Sequence, residues 1–395
     1  MRAFAGGFYA NLLRMYDYLG IQYKQQPFMF SFSRLLPRRK PGFCQEEEEP
    51  YMTHASNFHQ IPPVPGRDIV QWMVEVCYVL IFYTWFTLCC FFVPPSDKGE
   101  DDGEGESLEE YLHRIHLPRY YVASYLLPMI SSVCTCSHSD MLRFPASDVL
   151  EYKRCTHRQP HYVVTGGVHS VQEKLLQGLD VRLGMDITRV EPRPDTVEIC
   201  YRDGNDKEDS EQVDLVVLAV SPDIVARVFE PLRECLVTDV PTTTVETVAH
   251  TDYSTLSPQN ACAKPVRSTS TSTGPKETQR IHFRSNNHIT EAIHEQQNSL
   301  LVTTNPLTPL DPAKAIQSAV FTRVLRSPRS QALVNGIFSQ PAQDNETAKG
   351  KGKWCNGDDG VYLAGGWCWD GMVLLEGCVV SAMRVAEGLG VEVPW

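Results

Sequence analysis

The amino-acid sequence predicts a mixed α/β fold, and three stretches carry this prediction. Residues 181–191 alternate apolar and polar side chains, like a strand with one buried face. Residues 215–220 are continuously apolar, which is typical of a strand covered on both faces. Residues 361–389 read as a short strand, a glycine turn and an amphipathic helix. A chain of 395 residues with 42% hydrophobic content has room for about two domains.

The composition argues against one class of partner and favours one compartment. A formal net charge of -12, without a long basic tract, argues against a nucleic-acid surface. Thirteen scattered cysteines and an amino end without a basic-then-apolar signal indicate an intracellular protein, cytoplasmic or membrane-associated. Cys134 and Cys136, with His138 nearby, lack a second ligand pair at zinc-like spacing. No metal site is predicted.

The first 110 residues combine one clear helix with polar segments. A helix is predicted from about Tyr9 to Leu19, after the Gly6-Gly7 turn, and Gly20 ends it. No strand is predicted before that turn. The acidic runs at 46–49 and 97–106, like the Ser/Thr-rich stretch at 254–278, hold few apolar residues. We expect all three to be surface loops.

Residues 76–93 form an uncharged apolar segment that Pro94 and Pro95 close. Its length allows three interpretations: a buried or substrate-lining helix, a helix that dips into one leaflet of a membrane, or a true span. A span would place residues 1–70 and 96–395 on opposite sides of a membrane. That separation is incompatible with both parts building one pair of domains.

Residues 161–222 contain a run of well-marked elements. A strand begins at His161, and the Gly166-Gly167 turn leads into a helix with a predicted Ser170/Glu173 capping box. The alternating strand follows, then a hairpin at Asp203-Gly204 and the apolar strand 215–220. Ser221 and Pro222 are predicted to start another helix.

The carboxy-terminal segment is predicted to place its helix against a flat ligand. Apolar residues at helical spacing form one stripe that we expect to pack inward: Leu375, Cys378, Val379, Ala382, Val385, Ala386 and Leu389. Gly377 and Ser381 add a ridge of small residues, where a backbone or a ligand can approach closely. The start of such a helix offers unpaired N–H groups and partial positive charge.

Taken in order, these motifs resemble those of the flavin-containing amine oxidoreductases and phytoene desaturases. The tail is similar to their closing A-G…E-G-x-x-x-S/A motif, and 214–222 is similar to their D-x-V-V-x-A-x-P strand. Residues 125–149 and 367–386 look closest to a fungal group of FAD/NAD(P)-binding proteins. The resemblance implies a Rossmann-like FAD-binding domain of the amine-oxidase and glutathione-reductase kind, with an inserted substrate domain.

The resemblance also implies a set of cofactor-binding residues for FAD. The backbone at Leu375, Glu376 and Gly377 would meet the pyrimidine edge of the flavin. Gly365 and Gly366 would lie along the ribityl chain, with Trp367 beside them where many relatives carry an acidic residue. Ile187 would meet the adenine, and Ala219 ends the neighbouring strand. Two alternatives stay open: Glu376 as a solvated helix charge, and Trp367 and Trp369 as plain packing.

One hallmark of these families is missing from the sequence. They open with a strand, G-x-G-x-x-G and a helix that holds the pyrophosphate, and no such motif occurs among the 395 residues. The FAD-binding domain is therefore expected to be incomplete, with Met1 falling after the first βαβ unit. We expect weak or absent FAD binding, since the phosphates lose their backbone donors.

Four segments and one activity follow from this interpretation. Residues 1–160 and 241–345 are assigned to the substrate domain, and 161–240 and 346–395 to the FAD-binding domain. The expected activity is oxidation of a C–N or C–C bond in a small or lipid-like substrate. No catalytic residue is assigned. The alternative is a truncated, non-catalytic paralogue that binds another protein or a membrane. Residues 76–93 would then be its membrane anchor.

Overall fold

The computed structural model describes residues 3–36, 47–55, 68–97, 105–256, 278–296, 299–338 and 354–395. Within them the strands are β1 (Phe4–Ala5), β2 (Tyr23–Gln25), β3 (Phe28–Leu36), β4 (Glu47–Ala55), β5 (His161–Val164), β6 (Asp186–Pro192), β7 (Val197–Arg202), β8 (Glu208–Val213), β9 (Val216–Leu218), β10 (Thr242–His250), β11 (Gln279–Ser285), β12 (Thr290–Glu295), β13 (Leu301–Thr304), β14 (Ala315–Val324) and β15 (Val361–Leu363). The helices are α1 (Ala10–Tyr18), α2 (Ile69–Phe92), α3 (Leu108–Arg114), α4 (Arg119–Tyr121), α5 (Leu127–Cys134), α6 (His138–Leu142), α7 (Ala146–Thr156), α8 (Gly167–Leu176), α9 (Pro222–Val228), α10 (Arg233–Asp239), α11 (Pro328–Phe338) and α12 (Leu375–Gly388).

These elements form a mixed α/β fold, as predicted. The largest sheet has the strand order β14-β10-β13-β12-β11-β3-β4 and is antiparallel except for the β11–β3 pair. Strands β6, β7 and β8 form an antiparallel meander, and β1, β5 and β2 form a small sheet. Strands β9 and β15 pair in parallel. This parallel pair is the part of the fold that corresponds to the predicted FAD-binding sheet.

The first core lies between the seven-stranded sheet and the helices from α1 to α7. An aromatic layer covers one face of the sheet: Phe28 and Phe32 are buried, and the rings of Phe32 and Phe283 lie 5.1 Å apart. Helices α3 and α7 contribute Tyr111 and Leu150, which are completely buried. Alternation along β3, which begins with an aromatic at every second position, therefore directs these aromatic side chains into this core.

The second core surrounds the parallel pair of strands. Val361 and Leu363 of β15 are completely buried beside Val225 and Phe229, which belong to or follow α9. The meander of β6 to β8 contributes Val197. The candidate site lies where this second core meets the first.

A π-helical turn, Val122–Leu126, joins α4 to α5. The wider turn changes the carbonyl pairing of the helix, and two side chains contact it. The hydroxyl of Tyr51 donates to the carbonyl oxygen of Ser124 at 2.6 Å, and Arg34 donates to the Ser124 hydroxyl at 3.1 Å. The turn is thereby attached to strands β3 and β4.

Helix α2 corrects the first interpretation of residues 76–93. The helix begins seven residues earlier, at Ile69, because the Asp68 side chain accepts a hydrogen bond from the Val70 N–H and caps it. Only 17% of its most apolar window is buried. A buried core helix is therefore wrong for this segment, although α2 is long and apolar enough to cross a membrane by length and composition.

Three predictions for residues 161–222 are wrong in part. Helix α8 begins at Gly167, with no side-chain cap, and the Ser170 hydroxyl donates to Gly167 within the helix. The alternating strand begins only at Asp186, and Leu183 is 86% exposed. Strand β9 has Val216 and Leu218 buried but Val217 exposed, so it is covered on one face. Periodicity shows where apolar side chains recur in the sequence. A strand forms only where a neighbouring strand pairs with it, which periodicity does not reveal. The Asp203-Gly204 hairpin and the helix after Ser221 are confirmed.

The amino-terminal region brings one confirmation and three further corrections. Helix α1 is confirmed, but the two-residue strand β1 precedes the Gly6-Gly7 turn by pairing with β5. Glu49 lies in strand β4 instead of a loop. Glu106 is buried because it pairs with Arg114, with 2.6 Å between Oε1 and Nε. Residues 98–104 and 257–277, most of the other predicted loops, lie outside the described residues.

The aromatic layer provides a test of the first core. Phe32→Ala removes a side chain with no exposed surface, and we expect the free energy of unfolding to fall by about 3–5 kcal/mol. Phe92→Ala is the matched control, because Phe92 is 77% exposed, and its effect should stay within about 0.5 kcal/mol. Urea denaturation followed by circular dichroism measures both. Equal losses would contradict the assigned core.

Candidate functional site

The candidate site lies at the carboxyl ends of the parallel strands β9 and β15. Ala219 follows β9 and is exposed, while Gly365 and Gly366 follow β15 and are half-buried. The two strand ends are joined directly, because the Ala364 N–H donates to the carbonyl oxygen of Leu218 at 3.2 Å. The structure therefore brings together the predicted residues that follow the two strands. Ligands of α/β proteins commonly bind at such strand ends.

Trp367 and Cys368 are packing residues within the turn after β15. Trp367 is 3% exposed, and its Nε1 donates to the carbonyl oxygen of Val220 at 3.0 Å, which ties the turn to the end of β9. Cys368 is completely buried, and burial raises the pKa of its thiol well above the usual value. A neutral, enclosed thiol is a poor nucleophile for a covalent cofactor link.

The predicted ridge of small residues is present at the start of α12. Ser381 is completely buried, and its hydroxyl accepts from the Gly365 N–H at 2.9 Å, so the helix holds the glycine turn. Gly377 faces the indole of Trp369 so closely that an added Cβ would lie 2.3 Å from Nε1. Only glycine allows this approach. The Trp369 Nε1 in turn donates to the carbonyl oxygen of Met372 at 3.0 Å.

Glu376 is a buried carboxylate of the site, and both of its oxygens accept hydrogen bonds. It is 2% exposed, and its carboxylate accepts three hydrogen bonds from the start of α1. The donors are the backbone and side-chain nitrogens of Asn11, both at 2.9 Å, and the Leu12 N–H at 3.1 Å. The carboxylate satisfies unpaired N–H groups and complements the positive end of α1. A solvated helix charge is therefore wrong for Glu376.

The remaining predicted residues lie on either side of this turn. Leu375, with other members of the apolar stripe of α12, lines a groove of about 330 Å³ that also involves Leu12 and Tyr16 of α1. The stripe is thus only partly packed inward, and Ala382 is exposed. Ile187 lies in β6 and packs against the second core.

A buried ion pair lies beneath the turn, and no sequence pattern predicts it. Arg326 donates to the carbonyl oxygens of Trp369 and Trp367 at 2.7 and 2.8 Å, and its Nε lies 3.8 Å from Oδ2 of Asp148. Asp148 also accepts from Gln331 at 2.6 Å. Burial raises the pKa of Asp148 to about 6, although Arg326 acts in the opposite direction. No motif marks these residues, because α7, α11 and the turn meet only in the folded chain.

Comparison with known proteins finds one family model that matches part of the chain. Residues 94–257 match the family model described as flavin containing amine oxidoreductase. Over this segment the chain is similar to the flavin-containing amine oxidoreductases. No curated protein matches the chain. The cofactor that the family implies is FAD.

Two solved structures share the fold of this chain. A CLA-producing fatty acid isomerase from P. acnes has a TM-score of 0.57 at 12% identity, over 98% of this chain and 86% of that chain. Cyclohexylamine oxidase from Brevibacterium oxydans IH-35A has a TM-score of 0.54 at 11% identity, over 98% of this chain and 87% of that chain. At such low identity the likeness concerns the fold.

The arrangement of the turn after β15 does not fit an FAD held at the start of α12. The close approach to Gly377, which the resemblance assigns to the flavin, is taken by the Trp369 indole. Gly366 faces the carbonyl oxygen of Leu374, 3.0 Å from where a Cβ would lie. The carboxylate of Glu376 is hydrogen-bonded to the first turn of α1. In this conformation, the chain's own groups fill the small-residue cradle.

The contribution of the Glu376 carboxylate, which caps α1, to stability can be tested by replacing one of its oxygen atoms. Glu376→Gln turns an acceptor oxygen into an NH₂ group that faces buried N–H donors, so we expect a loss of about 1–3 kcal/mol in the free energy of unfolding. Glu387→Gln, on the exposed surface of the same helix, is the matched control. Chemical denaturation of both variants at neutral pH provides the measurement. An unchanged stability of Glu376→Gln would show that the cap contributes nothing.

The raised pKa of Asp148 predicts a pH dependence. A folded-state pKa of about 6, above the unfolded value, means that its contribution to stability is present at low pH and lost as pH rises from about 4 through 6. The loss amounts to at most about 3 kcal/mol. We expect the stability difference between wild type and Asp148→Asn to decrease over this range. Asp209→Asn, on an exposed strand, should show no such trend in the same pH series of denaturation curves.

Proposed function

We propose that this protein is an FAD-dependent oxidoreductase that oxidises a C–N or C–C bond of a small or lipid-like substrate. The observation that carries the proposal is the assembly at the ends of β9 and β15. Two parallel strands, a glycine turn and the small-residue start of α12 meet there, within a chain whose residues 94–257 match the family. Once the Trp369 indole leaves Gly377, FAD would supply the hydride acceptor, and the protein would orient it.

Both substrate classes have support among the structural neighbours. The names of the two structurally similar proteins refer to a fatty acid and to an amine. In this chain the groove between α1 and α12 provides an apolar region, lined by Leu12, Leu375 and Val379 among others. Such a region favours a hydrocarbon or aromatic group over a highly charged substrate.

Two hydrophobic cores support the proposed division of the chain. Residues from 4–155 and 281–292 dominate the first core, which corresponds to the proposed substrate segments 1–160 and 241–345. Residues from 190–240 and 361–368 dominate the second, in line with the proposed FAD-binding segments 161–240 and 346–395, and α11 of the substrate segment 241–345 adds Val334 and Ile337 to it. Leu325, Met372 and Val379 extend the first core toward the site, so the two units share the turn after β15.

The polypeptide by itself should bind FAD weakly. The Trp369 indole covers Gly377, and the sequence has no G-x-G-x-x-G turn for the pyrophosphate. Opening this cradle must displace an aromatic ring that also packs against Phe8, with 5.9 Å between ring centroids. Closure of the turn therefore competes with binding of the flavin end.

Flavin binding by designed variants tests both parts of the proposal. Purified wild-type protein should show little visible flavin absorbance. Trp369→Ala should bind added FAD at least about tenfold more tightly, a gain of about 1.4 kcal/mol, since the ring no longer competes. Trp395→Ala is the matched control, because Trp395 packs on Tyr18 beyond the other end of α12. Fluorescence quenching of FAD measures all three proteins.

Each part of the proposal has its own contradicting outcome. Stoichiometric flavin in the wild-type protein would show that the turn does not close the cradle. Equal FAD affinity in wild type and Trp369→Ala would remove Trp369 as the competing group. If neither protein reduces added FAD when a broad panel of amines and fatty acids is supplied as the reductant, the oxidoreductase assignment fails.

A second candidate function has its own observation. We propose that a non-catalytic form of the chain acts at a membrane surface, because α2 exposes an apolar face along its length. Ile69 and Phe92, at its two ends, are 72% and 77% exposed. Exposed apolar surfaces of this extent commonly mark an interaction site.

A further inference from the structure

The exposed face of α2 is a continuous stripe of uncharged side chains. The stripe, called the outer stripe below, consists of Val70, Met73, Val74, Cys77, Leu80, Ile81, Thr84, Leu88 and Phe91. Their spacing of three and four residues places them on one side of a helix that is about 36 Å long. No residue of the stripe is charged. Burial of this stripe would remove a large apolar surface from water.

The opposite face of α2 is attached to the protein along its length. Near the amino end, Glu75 accepts hydrogen bonds from the hydroxyls of Tyr120, at 2.9 Å, and Tyr125. Near the carboxyl end, Phe86 and Cys90 are buried in the first core. The helix therefore cannot leave the globular body to cross a bilayer by itself. The outer stripe makes up most of the exposed surface of α2, which favours a helix lying in one leaflet.

Basic side chains lie on both sides of the outer stripe. On one side, exposed Arg119 precedes Tyr120, whose ring lies 5.6 Å from that of Tyr78 in α2. On the other side, the Lys153 Nζ lies 4.7 Å from the ring centroid of Tyr83 in α2.

Two more basic residues extend this second side toward the end of α2. Arg154 donates to the Cys90 carbonyl oxygen at 2.6 Å, and also pairs with Glu151. Exposed Arg158 follows His157, whose ring contacts that of Phe91 at 5.5 Å. Burial lowers the pKa of His157, and Lys153 and Arg158 lower it further, so both charges act at this end of the helix. An otherwise acidic protein thus presents an apolar stripe with a basic border.

We propose that the outer stripe of α2 docks in one leaflet of an anionic lipid bilayer, with Arg119, Lys153 and Arg158 at the headgroups. The inference rests on the second candidate function and specifies its partner. Apolar burial provides the attraction common to all bilayers, and each basic group adds attraction to negatively charged headgroups. Charge complementarity distinguishes this occupant from an apolar protein groove, which would leave the border charges without partners.

Vesicle flotation of the purified full-length chain tests the proposal. Vesicles contain either phosphatidylcholine alone or equal parts of phosphatidylcholine and phosphatidylglycerol. We expect tighter binding to the anionic vesicles, which weakens as salt shortens the screening length from about 10 Å to about 3 Å. Ile81→Asp with Leu88→Asp should weaken binding to both vesicles at least about a hundredfold. Arg119→Gln, Lys153→Gln and Arg158→Gln should each weaken only anionic binding, about fivefold.

Matched controls separate the surface from general effects of charge and polarity. Ile316→Asp with Val320→Asp introduces the same change on strand β14, where both residues are more than 60% exposed. Arg182→Gln, Arg202→Gln and Lys207→Gln match the charge change near the β7–β8 hairpin. Neither control set should alter flotation. Circular dichroism melting curves must agree with the wild type for every variant compared.

Three outcomes decide between the parts of the proposal. Absence of binding to either vesicle would overturn membrane docking and the second candidate function together. Equal binding to both vesicles would overturn only the recognition of anionic lipid. Trp85, which is 46% exposed on α2, reports depth: quenching by lipids brominated near the headgroup supports docking in one leaflet. Quenching only by lipids brominated near the bilayer centre would contradict it.

Discussion

The carboxylate of Glu376 is the contact on which the arrangement of the two chain ends depends. It accepts hydrogen bonds from Asn11 and Leu12, residues more than 360 positions away. A buried charge of this kind persists only when donors surround it, and the unpaired N–H groups at the start of α1 supply them. This contact holds α1 against α12, and apolar side chains of both helices line the groove between them.

The turn between β15 and α12 is the meeting point of the two cores. Trp367 faces the second core and Met372 the first, while Arg326 binds the carbonyl oxygens of Trp367 and Trp369 from below. The ion pair with Asp148 keeps that guanidinium in place despite its burial. A buried pair of this kind is costly to break, because either partner alone becomes an uncompensated charge. The closed position of Trp369 over Gly377 follows from this fixed turn.

Local signals allowed much of the fold and part of the site to be predicted. Helix α1, the β7–β8 hairpin, β15 and α12 carry their own caps, turns or periodicity, and these elements form where predicted. The glycine turn and the ridge of Gly377 and Ser381 were found for the same reason. In contrast, Leu183 has the pattern of a strand residue yet is exposed, because pairing needs a neighbour that pattern alone does not reveal. The partners of Glu376 and Arg326 were equally hidden, since they come from distant segments.

The sequence by itself determined the mixed α/β class, the family resemblance in residues 161–222 and 361–395, and the presence of a long apolar helix. These properties depend on side-chain periodicity and on glycine, which act over a few neighbouring residues. Only the tertiary structure decided that Trp369 fills the cradle at Gly377, that Glu376 caps α1, and that α2 packs one face while exposing the other. Each of these outcomes depends on which distant surfaces meet, and burial and hydrogen bonding between distant residues exist only in the folded chain.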